Sequence, residues 1–416
     1  MNESLRTIAV DLTPVLPGGE NGGAKIFALE LLRRLAEMAP QTQFVLLTQA
    51  ASHEELAELD RPNMRRFMVV GPVVTNSAKS RLLCIASGVL NHLPTRLRNA
   101  VRRLGYNLNT TMKRSSSRTL LRDMGVDLLF CPFTVPTYFE PEVPTVCTIY
   151  DLQHKAYPEF FAAEDVAHRD RIFAETCLRA TAIAAISNCS RTAAIAHGSL
   201  DPARICTIRL RLAQHIPPEG NNDKGILIRI GLTPMRYLLY PANFWKHKNH
   251  EMLLTAFGMA CHVGLAADIK LVCTGAPGAR QEWLMRAAHS FNLGDRVLFP
   301  GYVSDRELAA LMANCSGVVF PSLHEGFGLP VVEAMAAGVP VACSNTSSLP
   351  EVVADAALLF DPCIPTQIAQ AIVSLVEDEE LRTQLIQAGQ QRVTGFLDTE
   401  RMAREYWELF EFALAG

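Results

Sequence analysis

Several functional classes are excluded by what this sequence does not contain. No Cys-x-x-Cys pair occurs, and the eleven cysteines stand singly. Cys84, Cys131, Cys147, Cys273 and Cys343 lie inside apolar runs, so they are expected to be reduced core residues, not a disulfide framework or zinc ligands. No window offers the ~18 uncharged apolar residues that a membrane-spanning helix needs. The opening MNESLRTIAVDLTP carries acidic Glu3 and reaches only a short apolar strand. It lacks the form of a secretory signal, and a cytoplasmic location is expected. There is no excess of positive charge either. The formal net charge is -3, which disfavours a nucleic-acid partner held by a global positive field.

What is present is a chain of 416 residues, 49% of them hydrophobic. That is enough to bury a large core and too long for one ordinary core, so two α/β domains are expected. Strand-like and helix-like segments alternate almost throughout, the pattern of βαβ units and parallel sheets. In the first half, strands are expected at 7–12, 43–47, 66–70, 127–131, 145–150 and 182–187. A helix covers 22–38, and another starts at Asn188. Around 209–223 the cluster IPPEGNND breaks the pattern as a linker does. A second series then supplies strands at 237–241, 269–274, 297–299, 317–321, 339–343 and 357–360. Its helices are expected at 250–261, 280–291, 305–313 and 329–337. The expected fold is two doubly wound parallel-sheet, Rossmann-like domains, 1–215 and 216–395, facing a cleft. A final helix at 398–414 is a candidate to pack back on the first domain. Open parallel sheets bind ligands beyond the carboxyl ends of their strands, so the cleft is the expected site.

One stretch concentrates the chemistry. In VVFPSLHEGFGLPVVEAMAAGVP, residues 318–340, an apolar strand ends at Pro321 and the loop His324-Glu325-Gly326-Phe327-Gly328 opens a helix near Leu329. The two glycines permit close backbone approach to a ligand. The helix start offers N–H groups and the positive end of a dipole, a ready place for a diphosphate. Glu325 and Glu333 lie eight residues apart, one on the loop and one on the helix. Each can accept two hydroxyls, as sugar or ribose diols present them. Either glutamate alone reads as an ordinary solvated residue; both together in a strand, glycine loop and helix do not.

EGFGLPVVEAMAAGVPV resembles the Glu-x7-Glu signature of the retaining glycosyltransferases of family four, which have the GT-B fold. The resemblance extends to LFPGYVSDRELAALMANC before it, SSLPEVVADAALLFDP after it and YPANFWKHKNHEMLLTAF upstream. It implies sugar transfer from a nucleoside-diphosphate sugar, GDP-mannose being one candidate, to a polysaccharide or lipid-linked oligosaccharide. By the same resemblance Glu325 would contact the transferred sugar and Glu333 would hold the ribose. Phe327, Gly328 and Leu329 would give backbone contacts to the diphosphate. Lys248 would be the phosphate-binding lysine, and Asp151 the acid of a strand-end His-Asp pair. Two positions depart from the family pattern: Tyr150 stands where that histidine is usual, and Asn243 is the nearest counterpart of an arginine before the lysine. No Asp-x-Asp occurs, so neither a metal nor a resident cofactor is expected.

Three further features stay open. PGGENGGAK places Gly18, Gly19, Gly22 and Gly23 before a helix. It reads either as a flexible turn or as a loop over the donor phosphates or acceptor, with Gly22 and Gly23 as contacts. His247 and His250 have metal-ligand spacing but no third partner. Residues 61–122 contain thirteen Lys and Arg and no acid. Within the insert 77–122, arginines interleave with leucines, as on a helix that lies on an anionic membrane surface or on a packed insert with a solvated basic face. A nucleotide-sugar epimerase of the same fold and a non-catalytic nucleotide-sugar-binding partner are the competing functions.

Overall fold

The computed structural model describes residues 5–18, 21–71, 119–211 and 225–415. The basic insert lies outside the described residues as far as 118, as do Gly19, Cys84 and 212–224 of the linker.

Seven parallel strands make the first sheet: β1 (Thr7–Asp11), β2 (Gln43–Gln49), β3 (Met64–Val70), β4 (Leu128–Cys131), β5 (Thr145–Ile149), β6 (Ala182–Ala185) and β7 (Ile205–Thr207). Their order is β3-β2-β1-β4-β5-β6-β7. Six more make the second: β8 (Tyr237–Pro241), β9 (Lys270–Thr274), β10 (Val297–Gly301), β11 (Gly317–Phe320), β12 (Val341–Ser344) and β13 (Leu358–Phe360), in the order β10-β9-β8-β11-β12-β13. Central strands such as LLFC of β4 and GVVF of β11 are buried at every residue, as strands covered by helices on both faces must be. In each sheet the order reverses beside the first strand, between β1 and β4 and again between β8 and β11. Those two switch points are where a doubly wound sheet opens a crevice.

Among the described residues, helices of eight residues or more are α1 (Gly22–Met38), α2 (Ala163–Arg179), α3 (Asn188–Gly198), α4 (His250–His262), α5 (Ala279–Ser290), α6 (Asp305–Ala313), α7 (Leu329–Ala336), α8 (Pro365–Glu377), α9 (Glu379–Val393) and α10 (Thr399–Ala415). Local chemistry sets their ends. α6 begins in a capping box, in which Ser304 and Glu307 satisfy each other's backbone N–H. α7 starts at Gly328, whose φ of 98° is open to glycine at little cost.

The chain crosses back at its end. Tyr406 of α10 lies 3.1 Å from the Thr148 hydroxyl of β5. Its ring is 5.8 Å from Phe27 of α1, and Phe410 is 5.1 Å from Phe130 of β4. Arg211 holds both carboxylate oxygens of Glu405, at 2.7 and 2.9 Å. The last helix thus completes the core of the first domain. Cys131, Cys147, Cys273 and Cys343 are buried and unpaired; burial pushes each of Cys273 and Cys343 well above the ordinary thiol range.

Candidate active site

The second switch point carries the charged groups. β8 ends at Pro241, and a single turn, Lys246–Lys248, brings the Lys248 ammonium over the neighbouring strand end. Its Nζ donates to Glu325 Oε1 at 2.6 Å. The two side chains are only 13% and 12% exposed, so this ion pair is poorly screened. Each partner is fixed through its backbone. The Tyr240 hydroxyl donates to the Lys248 carbonyl at 2.6 Å. Ser347 Oγ accepts from the Glu325 N–H at 2.9 Å, and Ser348 Oγ donates to the Glu325 carbonyl at 2.9 Å. The turn itself is locked by Asn249, at φ 60°, whose amide donates to the carbonyls of Pro321 and Pro362. The Leu323 N–H donates to the His247 carbonyl at 2.7 Å.

The two histidines of this turn are structural. Burial, and next the Lys248 charge, hold His247 down to about 4 and His250 to about 3. The His250 ring lies between Tyr240 and Phe244, at 4.7 and 5.0 Å. Among the described residues no group of three or more His, Cys, Asp or Glu converges to hold a metal.

The glycine loop that follows is shaped by the first domain. A Cβ on Gly326 would come within 2.4 Å of the Tyr150 carbonyl oxygen and 3.2 Å of Asp151 Cβ. Only glycine lets the loop sit against the end of β5. Asp151 is thereby brought beside the Glu325 loop, with its Oδ1 accepting from the Gln153 N–H at 3.0 Å. Phe327 turns into the second-domain core, edge-on to Phe396 at 5.7 Å, which leaves only its backbone to face the cleft. Gly328 packs on Leu349; a Cβ there would fall within 2.6 Å of Leu349 Cδ2. Leu329 meets Gly23 of the first domain, where an added Cβ would lie 3.0 Å from Leu329 Cδ1. The starts of α1 and α7 therefore converge from opposite domains. Neither carries a side-chain cap hydrogen bond, so both present positive dipole ends to the same space. Glu333 is half-buried on α7.

Three polar side chains near the site brace loops or their own domain. Asn243 Oδ1 accepts from the Ala276 N–H at 2.9 Å and so braces the loop after β9. The Tyr150 hydroxyl points into its own domain and donates to the Pro132 carbonyl at 2.8 Å. Burial raises it well above the ordinary phenol range. Lys25 ties down the glycine loop through Glu55 at 2.5 Å and the Gly18 carbonyl at 2.9 Å. Ser347, Ser348 and the interdomain bond from Tyr157 Oη to the Leu323 carbonyl at 3.4 Å were not singled out in the sequence. SSLPE lay inside the resembling segment, but its serines carry no chemistry of their own and act only through the backbone they hold.

Two parallel-sheet domains in contact across a cleft, each with a switch point facing it, define the GT-B class of fold. Residues 232–392, most of the second domain, match the family described as Glycosyl transferases group 1. The chain is 31% identical over 238 residues to O-antigen chain mannosyltransferase B of Escherichia coli, a match that takes in 57% of this chain and 62% of the relative's length. In fold it is similar to the Anabaena protein HepE, solved with UDP and glucose, at a TM-score of 0.68 and 17% identity over 97% of this chain and 98% of the other. It is similar also to WaaG, a glycosyltransferase involved in lipopolysaccharide biosynthesis, at a TM-score of 0.64 and 15% identity over 97% and 99% of the two chains.

Proposed function

We propose that this chain is a retaining glycosyltransferase of family four that moves a sugar from a nucleoside-diphosphate sugar to a hydroxyl of a polysaccharide or lipid-linked oligosaccharide. The observation that carries the proposal is the Lys248–Glu325 pair, 2.6 Å apart at the second switch point beside two helix starts. When the bond from the anomeric carbon to the phosphate oxygen breaks, negative charge grows on the diphosphate. A fixed ammonium and two dipole ends meet that charge most strongly in the transition state. Glu325, released from Lys248 by the incoming phosphate, accepts hydroxyls of the transferred sugar; Glu333 accepts those of the ribose. The backbone of Phe327, Gly328 and Leu329 faces the diphosphate, and Gly22 and Gly23 close the cleft from the other side. Asp151 stands next to the sugar. In the retaining route the acceptor oxygen bonds the anomeric carbon on the face the diphosphate leaves, and the departing phosphate oxygen takes the acceptor proton.

Mannose is favoured as the sugar by the name of the O-antigen relative, and GDP-mannose is the matching donor. No resident metal or cofactor enters the proposal. The basic insert 77–122 is taken as a dock on the anionic cytoplasmic face of a membrane, where a lipid-linked acceptor lies. No described helix is long and apolar enough to cross one.

The test is a thermal-shift screen of nucleotide sugars on the full chain, since a ligand at 100 times its dissociation constant adds about 2.7 kcal/mol. Nucleotide release from the hit is then followed with and without acceptor glycan. Release that rises with acceptor in wild type and collapses in folded Glu325→Ala is expected; equal release in the two proteins overturns the assignment.

A further inference from the structure

Glu351 belongs to the second domain, on the short helix Leu349–Val353, and its side chain crosses to the first. Its Oε2 accepts from the Asn188 N–H at 3.1 Å and its Oε1 from the Cys189 N–H at 2.9 Å. Arg209 Nη2, also of the first domain, lies 3.4 Å from Oε2. Asn188 and Cys189 are the first two residues of α3, whose N–H groups can find no partner inside their own helix. Ser187 caps the next one, the Ser190 N–H, at 3.1 Å. A carboxylate from the other domain thus fills the two places that the local cap leaves, and it does so at the positive end of the helix dipole. The Glu351 side chain is 19% exposed, so the attraction is only partly screened.

This contact is joined to the reacting loop from both sides. In the second domain, Ser347 and Ser348 lead into the Glu351 helix and hold the N–H and carbonyl of Glu325. In the first domain, Ser190 of α3 donates to the Tyr150 carbonyl at 2.7 Å. That is the oxygen against which Gly326 packs. A closed ring runs from Glu351 through α3, Ser190, the Tyr150 carbonyl, the Gly326 loop and the two serines back to Glu351. The Glu351 helix has its own anchor. Arg392 donates to the Glu351 and Val352 carbonyls, each at 2.7 Å, whatever side chain stands at 351.

We propose that Glu351 is an interdomain latch, a positioning residue whose carboxylate docks on the start of α3 and keeps the cleft closed around the Glu325 loop. Its effect on turnover rests on the glycosyltransferase proposal; its effect on closure does not. The first measurement is therefore amide hydrogen exchange on the full chain without ligand. In Glu351→Ala, exchange is expected to quicken at least about tenfold at Asn188–Cys189 and together with it at Tyr150–Asp151 and Glu325–Gly328, because loss of the latch populates an open form. Tm should stay within about 4 °C, since Arg392 still holds the helix and alanine suits it. Glu351→Gln, which keeps an acceptor but not the charge, should fall between. Faster exchange confined to Asn188–Cys189 makes the contact a local cap and overturns the latch, as does no change at all. With a donor in hand, Glu351→Ala should raise the donor KM about tenfold and lower kcat by less than about threefold, the pattern of a lost closed-state population. An unchanged KM overturns the link to turnover. A chain with no transferase activity would defeat the functional proposal and leave the exchange result standing.

Discussion

The two walls of the cleft are built from different material. The second-domain wall presents charged side chains, Lys248 and Glu325 in contact and Glu333 on the helix that follows. The first-domain wall presents backbone: Gly22 and Gly23 at the start of α1 and the carbonyl of Tyr150. Of its ionisable groups Asp151 stands beside the Glu325 loop, whereas Lys25 and Asp11 turn inward and hold loops in place. Lys25 ties the glycine loop. Asp11 is buried, raised in pKa mainly by that burial, and accepts from the Thr13 N–H at 3.0 Å and its hydroxyl at 2.6 Å. A leaving diphosphate needs fixed charge, and fixed charge needs particular side chains. A wall of backbone groups can be made by many sequences, so it selects by shape and writes little into residue types.

The sharpest way to break this contrast is to remove one side chain from each wall. Glu325→Ala should lower kcat by about 100-fold, some 2.7 kcal/mol of barrier. Tyr150→Phe, which deletes a hydroxyl turned into its own domain, should stay within about threefold of wild type. Comparable losses would mean that the first wall supplies chemistry as well as shape. Glu325→Gln sharpens the same point in the opposite direction. With its counter-ion gone, Lys248 should bind the nucleoside diphosphate product about fivefold more tightly, near 1 kcal/mol by calorimetry; weaker binding would show that Glu325 does not compete for the lysine.

Next in size is the place where the walls touch. Gly326→Ala drives a Cβ to 2.4 Å from a backbone oxygen, which cannot yield without parting the domains. Turnover should fall about tenfold, near 1.4 kcal/mol. Gly23→Ala meets only the end of a leucine side chain at 3.0 Å, which can turn aside, and should cost about twofold. The reverse order would mean that the first-domain glycine, not the second, sets the closure.

The same division decided what could be read from the chain alone. The strands of the second domain and the helices between them were legible, because hydrophobic periodicity is strong, but α8 and α9 after the last strand were not foreseen. Tyr237–Pro241 and Asp305–Ala313 have the expected bounds. The strand expected from Val339 starts at Val341 because Pro340 has no N–H to give the ladder. In the first domain α1 has its expected limits, yet β7 and α2 were not foreseen. β7 has three residues beside the linker, too few for a period, and α2 is a polar helix with only Phe173, Thr176 and Cys177 buried. In the site, the residue types of Lys248, Glu325 and the glycines pointed to one another across the sequence. Their neighbours did not. Ser347, Ser348 and Glu351 act through backbone atoms of distant segments, a relation that exists only after folding.

A smaller effect leaves turnover aside and concerns acid stability of the second wall. The unfolded chain takes a proton on His250 near 6.5, whereas the folded chain, by burial and then by the Lys248 charge, refuses it down to about 3. The folded pKa is depressed for a base, so the unfolded state binds more protons in that window. Stability is full above about pH 6.5 and falls as the pH drops towards 3. Between pH 8 and pH 5 this residue should account for about 2 kcal/mol of loss. His250→Phe keeps a ring between Tyr240 and Phe244 and removes no hydrogen bond from Nε2, which has none. Chemical denaturation at the two pH values should show a flatter dependence in the variant; an equal slope would place the acid sensitivity elsewhere.

The last prediction should leave donor turnover in solution unchanged, because it concerns the first domain far along the chain from Lys248 and Glu325. Residues 61–122 gather thirteen cations without one acid, in a chain whose net charge is -3. Arg61, Arg66 and Arg122 pair with Glu37, Asp60 and Glu140 outside the segment, but the insert between them has no acid of its own in sequence, and like charges repel. An anionic surface offsets that repulsion: each cation near it gains about 1 kcal/mol, screened over ~8 Å at physiological salt. Leucines between the arginines can enter the headgroup boundary while the guanidinium groups stay with phosphates. Wild type should therefore sediment with vesicles that contain anionic lipid, and less as salt rises. Reversal of Arg98, Arg102 and Arg103 to Glu should abolish that binding and leave nucleotide release from a soluble donor intact. Equal sedimentation of wild type and triple variant would reduce the insert to ordinary packing. The acceptor would then have to be sought among soluble glycans, for the backbone wall by itself favours neither.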